Sequence, residues 1–158
     1  MKYFDVFNGD ADGICALHQL RLANPVDSTL VTGVKRDISL LKQVDVEPGD
    51  HVTVLDISLD KNRDDLVRVL DGGADVIYFD HHFAGEIPES DSLDCHIDTD
   101  ANVCSSLLVT EYLGGKYLPW AVTAAFGDNL FTSAEKAAVP LDLDKSELEA
   151  LKLLGTCI

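Results

Sequence analysis

Asp80-His81-His82 closes the apolar run Ala74-Asp75-Val76-Ile77-Tyr78-Phe79. A carboxylate and two imidazoles at the end of a buried strand are three candidate metal ligands, and a packed core has no use for them. Two other strand-like runs end in the same chemistry. Val52-Thr53-Val54-Leu55 runs into Asp56, and Tyr3-Phe4-Asp5-Val6-Phe7 runs into Asn8-Gly9-Asp10-Ala11-Asp12-Gly13. Strand ends that carry acids and imidazoles point to one convergent site.

The stretch Asn8-x-Asp10-x-Asp12-Gly13 admits more than one chemistry. Oxygen ligands at alternate positions before a glycine mimic the start of a calcium-binding EF-hand loop. That reading fails because the twelfth position is Gln19, not Glu, and a strand-like run precedes the loop where a helix is required. An aspartyl-nucleophile phosphatase of the haloacid dehalogenase type also begins with Asp-x-Asp after its first strand. It expects Thr or Val soon after the pair and a further Asp beyond Gly127-Asp128, but Gly13-Ile14 and Asn129-Leu130-Phe131-Thr132 stand there. It also leaves Asp80-His81-His82 without work. A metal cluster accounts for the most residues: two Asp spaced by one can address neighbouring ions, Gly13 allows a close turn, and the helix start that follows favours an anion.

These residues need a scaffold that brings distant parts of the chain together. Short β-like runs alternate with longer helical ones, the pattern of an α/β domain with a mainly parallel sheet. Strands are expected over 2–7, 29–34, 51–57, 74–79 and 93–98. Helices are expected over 12–24, 60–71, 102–113 and 117–126, stopped by Pro25 and Gly114-Gly115. A five-stranded sheet flanked by helices and followed by C-terminal helices is the expected fold. Asp144-Lys145-Ser146-Glu147 offers the last helix a capping box. In open parallel sheets ligands bind beyond the carboxyl ends of the strands, where Asp10, Asp12, Asp56 and Asp80-His81-His82 would gather.

The composition is that of one globular domain: 158 residues, 46% hydrophobic. No apolar stretch approaches the ~20 residues that span a bilayer, and the N-terminus lacks the basic and apolar regions of a signal peptide, so a cytoplasmic location and no membrane partner are expected. A net charge of −16 opposes binding of long duplex nucleic acid, which needs clustered Lys and Arg. Divalent cations would neutralise part of that acidity. Cys15, Cys95, Cys104 and Cys157 form no Cys-x-x-Cys pair and read as buried, reduced thiols.

Asp-His-His at a strand end, Asp-x-Asp-Gly after the first strand, Leu-Asp-Ile-Ser at the third and a later Gly-Asp together resemble the DHH phosphoesterase superfamily, from residue 2 to about residue 132. That superfamily includes single-strand exonucleases, oligoribonucleases, cyclic-dinucleotide phosphodiesterases and family II inorganic pyrophosphatases. The resemblance implies two Mn²⁺ or Mg²⁺ ions, about 3.5 to 4 Å apart, that activate a water for hydrolysis. It implies that Asp10 ligates one ion and Asp12 the other, with Asp56 bridging both and His81 and Asp128 completing the coordination of the second ion. His82 would face the phosphate, and Asp80 would orient an imidazole. Catalytic roles thus fall on Asp56, Asp80 and His82. Some members place a His four residues before the first motif Asp, where Val6 stands, and others an acid two residues before, where Asn8 stands. Asn8 is therefore the further candidate ligand.

Other residues carry less. His18, His51 and His96 read as structural. Lys35-Arg36, at the end of the second strand, reads as a substrate-phosphate contact or as a plain helix-entry pair. Ser105 and Ser106 cap a helix, or contact phosphate if that helix end faces the metals. The expectation is a single catalytic domain over 1–158, without the second, C-terminal substrate-binding domain usual in the superfamily. Its substrate would be a short nucleotide, an oligonucleotide or another phosphate ester, and the reading leaves room for a homodimer. A catalytically weak nucleotide- or metal-binding regulatory module of the same fold is the alternative.

Overall fold

The computed structural model describes residues 1–34 and 36–158. Its strands are β1 (Tyr3–Asn8), β2 (Thr29–Gly33), β3 (His51–Leu55), β4 (Asp75–Asp80) and β5 (Leu93–Ile97). Its α-helices are α1 (Ala11–Ala23), α2 (Leu59–Asp71), α3 (Ser105–Tyr112), α4 (Leu118–Gly127), α5 (Phe131–Ala138) and α6 (Lys145–Cys157). The strands form one sheet in the order β2-β1-β3-β4-β5, and every pairing is parallel. The order reverses direction between β1 and β3, which opens a crevice at the carboxyl edge of the sheet.

Strand pleating sorts the core into two faces. Phe4, Val6, Val52, Val54, Val76 and Tyr78 pack with Leu59, Leu66 and Val69 of α2. Phe7, Leu55 and Phe79 point the other way, toward Ala16, Leu17 and Leu20 of α1 and Val109 of α3. On that same face Asp5 is buried and is neutralised by the Arg21 guanidinium, Nε at 2.8 Å and Nη2 at 2.5 Å, with the Ser28 hydroxyl donating at 2.6 Å. A third cluster joins Cys15 of α1 and Cys104 to Val122, Ala125 and Phe126 of α4 and Ala134 of α5. Of the C-terminal helices, α4 packs onto α1, and α5 and α6 pack in turn onto α4.

The expected strands and helices are present with ends shifted by a residue or so, except that α3 starts at Ser105 rather than 102. Helix α5 is an element that the sequence pattern does not predict. It is only eight residues long, and no side chain caps its start. The capping box of α6 forms as expected: Asp144 Oδ1 accepts from Ser146 N and Glu147 N, and Glu147 Oε2 accepts from Asp144 N at 2.9 Å. The thiol expectation needs correction. All four cysteines are free, but Cys157 is exposed on the last turn of α6, and Cys95, on the edge strand β5, is only partly buried against the α2-side core. No helix among the described residues is long and apolar enough to cross a membrane.

Candidate metal centre

Register alone brings the strand ends level. Phe7 pairs with Leu55 and Leu55 with Phe79, so the next residues, Asn8, Asp56 and Asp80, stand side by side at the carboxyl edge. Asp10 caps α1, its Oδ1 accepting from Gly13 N at 3.3 Å. Gly13 is required there: a Cβ would meet Asn8 O at 2.2 Å, so only glycine lets the first turn of α1 lie against the end of β1. That close turn carries Asp12 inward to complete burial.

Asp12 is held by the amino end of α3. Its two carboxylate oxygens accept from Ser105 N and Ser106 N, each at 2.7 Å, and Ser106 Oγ donates to its carbonyl at 2.8 Å. These are orphan amides of a helix N-terminus, which favour an anion. Burial nevertheless raises the Asp12 pKa, and the charge of Asp128 adds to the rise.

Asp56 leaves β3 with a φ of 57°, a left-handed conformation uncommon outside glycine. Its amide donates to Phe79 O at 3.0 Å, which pins the turn to β4, and Ser105 Oγ donates to its Oδ1 at 3.2 Å. Burial first, then the negative charges of Asp12, Asp10 and Asp128, push its pKa well above the ordinary carboxylate value.

The imidazoles complete the cluster. His81 Nε2 lies 3.3 Å from Asp56 Oδ1, 3.5 Å from Asp128 Oδ2 and 3.9 Å from Asp12 Oδ2. Asp128 reaches it from the C-cap of α4. His82 Nδ1 lies 2.7 Å from Asp80 Oδ1, and this hydrogen bond is the main cause of a raised His82 pKa. Since a carboxylate can only accept, Nδ1 carries the proton of that bond and Nε2 is the nitrogen left for other partners.

Asp12, His81 and Asp128 bring ligand atoms within 4.8 Å of one another, and so do Asp56, His81 and His82. The donor set fits a hard divalent cation: buried carboxylates that repel one another, imidazole nitrogen, and an amide oxygen, Asn8 Oδ1, that is buried with no donor among the described residues. Asp80 Oδ2 is buried without a donor as well.

The outcome for the other expected residues is mixed. Val6 packs in the core on the α2 face, so its position supplies no ligand, whereas Asn8 lines the site cavity. Ser105 and Ser106 are fully buried and are spent on holding Asp12 and Asp56, a role their spacing did not reveal. Arg36 is exposed in a turn and is not among the residues lining the site cavity; Lys35 lies outside the described residues. His18 packs edge-on against Trp120, His51 stacks on Tyr3 at the opposite end of the sheet, and His96 stacks on Phe79. Gln19 is buried, bonded to Ser106 O and to the Thr110 hydroxyl, which removes the calcium-loop reading. The cavity over the cluster has a volume of about 650 Å³ and is lined also by Lys61 and Phe83, which the motifs did not single out. The apolar character of Phe83 directly after the two imidazoles was the signal available.

No family model matches the chain, and no curated protein matches it. Among solved structures it is similar to RecJ from Thermus thermophilus in complex with Mn²⁺, with a TM-score of 0.53 and 19% identity over 88% of this chain. The chain spans 24% of the length of that RecJ. A structure of exonuclease RecJ bound to manganese gives a TM-score of 0.49 and 18% identity, covering 99% of this chain and 43% of the other. At such identity it is the fold that is shared. The chain has the α/β fold of a DHH-type domain, the fold that its motifs resemble.

Proposed function

We propose that this chain carries a divalent-metal-dependent phosphoesterase centre that hydrolyses a phosphoester or phosphoanhydride bond in a short nucleotide or oligonucleotide. The observation that carries the reading is the convergence of Asp12, Asp56, His81 and Asp128, from four separate elements, where burial and then neighbouring carboxylates raise the pKa of Asp12 and Asp56. Mn²⁺ or Mg²⁺ suits a set of mostly oxygen ligands with imidazole, and the similar RecJ structure holds Mn²⁺.

In this reading Asp12, His81 and Asp128 would hold one ion, Asp10 and Asn8 would offer oxygen ligands for a second, and Asp56 would be available to either. Such ions supply Lewis acidity toward phosphoryl oxygen and make water nucleophilic near neutral pH. The protein's own groups do the rest. The α3 amides fix the Asp12 carboxylate, so its geometry does not depend on solvent. Asp80 holds the His82 ring by Nδ1, which leaves Nε2 to donate a hydrogen bond to the phosphate or a proton to the leaving oxygen. Burial of Asp12 and Asp56 excludes water from the ligand side of the cavity.

The test is a hydrolysis panel of dinucleotides, short oligonucleotides, nucleoside phosphates and pyrophosphate with Mn²⁺, on the wild-type chain and on Asp56→Asn and His81→Ala, alongside calorimetric Mn²⁺ titration. Asn tolerates the left-handed backbone of Asp56, so that substitution removes charge with little strain. Turnover should fall by about 100-fold or more in each variant. Equal turnover in all three proteins sinks the proposal, and Mn²⁺ binding without turnover on any substrate favours the regulatory-module reading.

A further inference from the structure

Several residues that line the site cavity take no part in metal chemistry, and Phe83 is the most exposed large apolar one among them. Phe83 follows His82 directly, its side chain is 73% exposed, and it stacks on no other aromatic ring among the described residues. Its backbone, by contrast, is tied down. Ser58 Oγ donates to Phe83 O at 3.3 Å, while Arg63 of α2 donates to Ala84 O at 2.9 Å and to Glu86 O at 2.7 Å. The segment is thus anchored at three points, one just before α2 and two on it, and it presents a bare ring beside the imidazole that faces the phosphate.

An exposed phenyl ring held on a fixed backbone at the mouth of an acidic cavity is costly to hydrate and cheap to cover. We infer that Phe83 is a stacking platform for a nucleobase of the substrate, and so the residue that selects nucleotides over bare phosphate esters. This rests on the phosphoesterase reading and deepens it. Every base presents a π-face, so stacking recognises the class without reading sequence. It also needs no positive charge, which matters in a chain of net charge −16. Lys61, on the first turn of α2, lines the same cavity with its side chain largely exposed, though its ammonium lies 3.3 Å from Asp60. It is the cation placed to meet a neighbouring phosphate. Ile38, also exposed on the cavity wall, adds apolar surface suited to a base and useless to pyrophosphate.

The experiment compares wild type, Phe83→Ala and Phe83→Trp on two dinucleotides that share one scissile phosphodiester, one with both bases and one with the base beside the leaving group removed. A second arm titrates a 2-aminopurine dinucleotide and follows fluorescence quenching by stacking. Wild type and Phe83→Trp should prefer the base-bearing dinucleotide and quench the fluorophore. In Phe83→Ala the KM for the base-bearing substrate should rise by roughly 5- to 150-fold, with the loss in KM rather than kcat. Equal kcat/KM for the two dinucleotides in wild type, or a preference that survives in Phe83→Ala, overturns the platform and leaves the phosphoesterase centre standing. Quenching that depends on Phe83 without any hydrolysis strikes the centre and leaves the platform. Loss of both hydrolysis and quenching in wild type overturns both.

Discussion

At the scale of single residues, the charge of Asp80 is felt through its neighbour. Its carboxylate is the main reason the His82 pKa is raised, so Asp80→Asn should return that pKa toward or below its ordinary 6.5. Imidazole NMR titration reads the shift directly. In turnover the basic limb should move to lower pH and kcat should drop about 10- to 100-fold, since the ring loses both its proton affinity and its orientation. An unmoved His82 titration would mean that Asp80 does not govern the ring. Asp80, His81 and His82 were all readable as chemistry from their types, because a buried strand seldom ends in such a triplet. Their division of labour was not readable, because it depends on which nitrogen meets which oxygen.

At the scale of elements, α3 is the support for the metal centre. Ser105 is the first residue of the helix, and Cys104 before it has an extended backbone, φ −124° and ψ 163°. Proline is well accommodated at such a position, so Ser105→Pro should keep the helix while deleting the amide that holds Asp12 Oδ2 and the hydroxyl that meets Asp56. Far-UV circular dichroism should stay the same, and Mn²⁺ affinity measured by calorimetry should fall about 10- to 100-fold. Retained affinity would show that Asp12 needs no such support. The crossing of α4 and α6 sets Asp128 in a similar way. A Cβ on Gly155 would lie 2.1 Å from Thr123 O, and one on Gly127 would meet Gly155 O at 2.6 Å, so the two helices touch backbone to backbone just before Asp128. Gly155→Ala should destabilise the protein by roughly 1 to 3 kcal/mol through overpacking, read as a lower midpoint in chemical unfolding. Helix α5 and this contact escaped sequence reading, since short helices without caps and close glycine crossings are decided by what packs against them.

At the scale of the whole molecule, the acidic site links stability to pH and to metal. Asp12 and Asp56 have raised pKa values in the folded state, so above the ordinary carboxylate value of 3.8 these two groups hold more protons in the folded chain than in the unfolded one. Their contribution to the stability of the metal-free protein is therefore lost as pH rises through that window, whereas Asp50 and Asp100, whose pKa values are lowered by hydrogen bonds, lose theirs as pH falls. His82 acts in the same direction as Asp12 and Asp56: its contribution is complete below 6.5 and is lost as pH climbs through its raised folded value. Mn²⁺ competes with protons for these groups, so it should raise Tm by more at about pH 8 than at about pH 5, as calorimetry with and without chelator would show. A stabilisation independent of pH would separate the carboxylates from the metal. The alternation of strands and helices and the acids at the strand ends were legible in the sequence, because hydrophobic periodicity and residue type are local properties. The sequence also carried the resemblance to the DHH superfamily, whose fold the chain has. Which acids are buried, that α3 and the α4–α6 crossing support them, and that Phe83 stands bare after His82 emerged only from how the elements pack. Those facts are set by register and by close contact between segments as far apart as Asp12 and Ser106, and no local pattern encodes them.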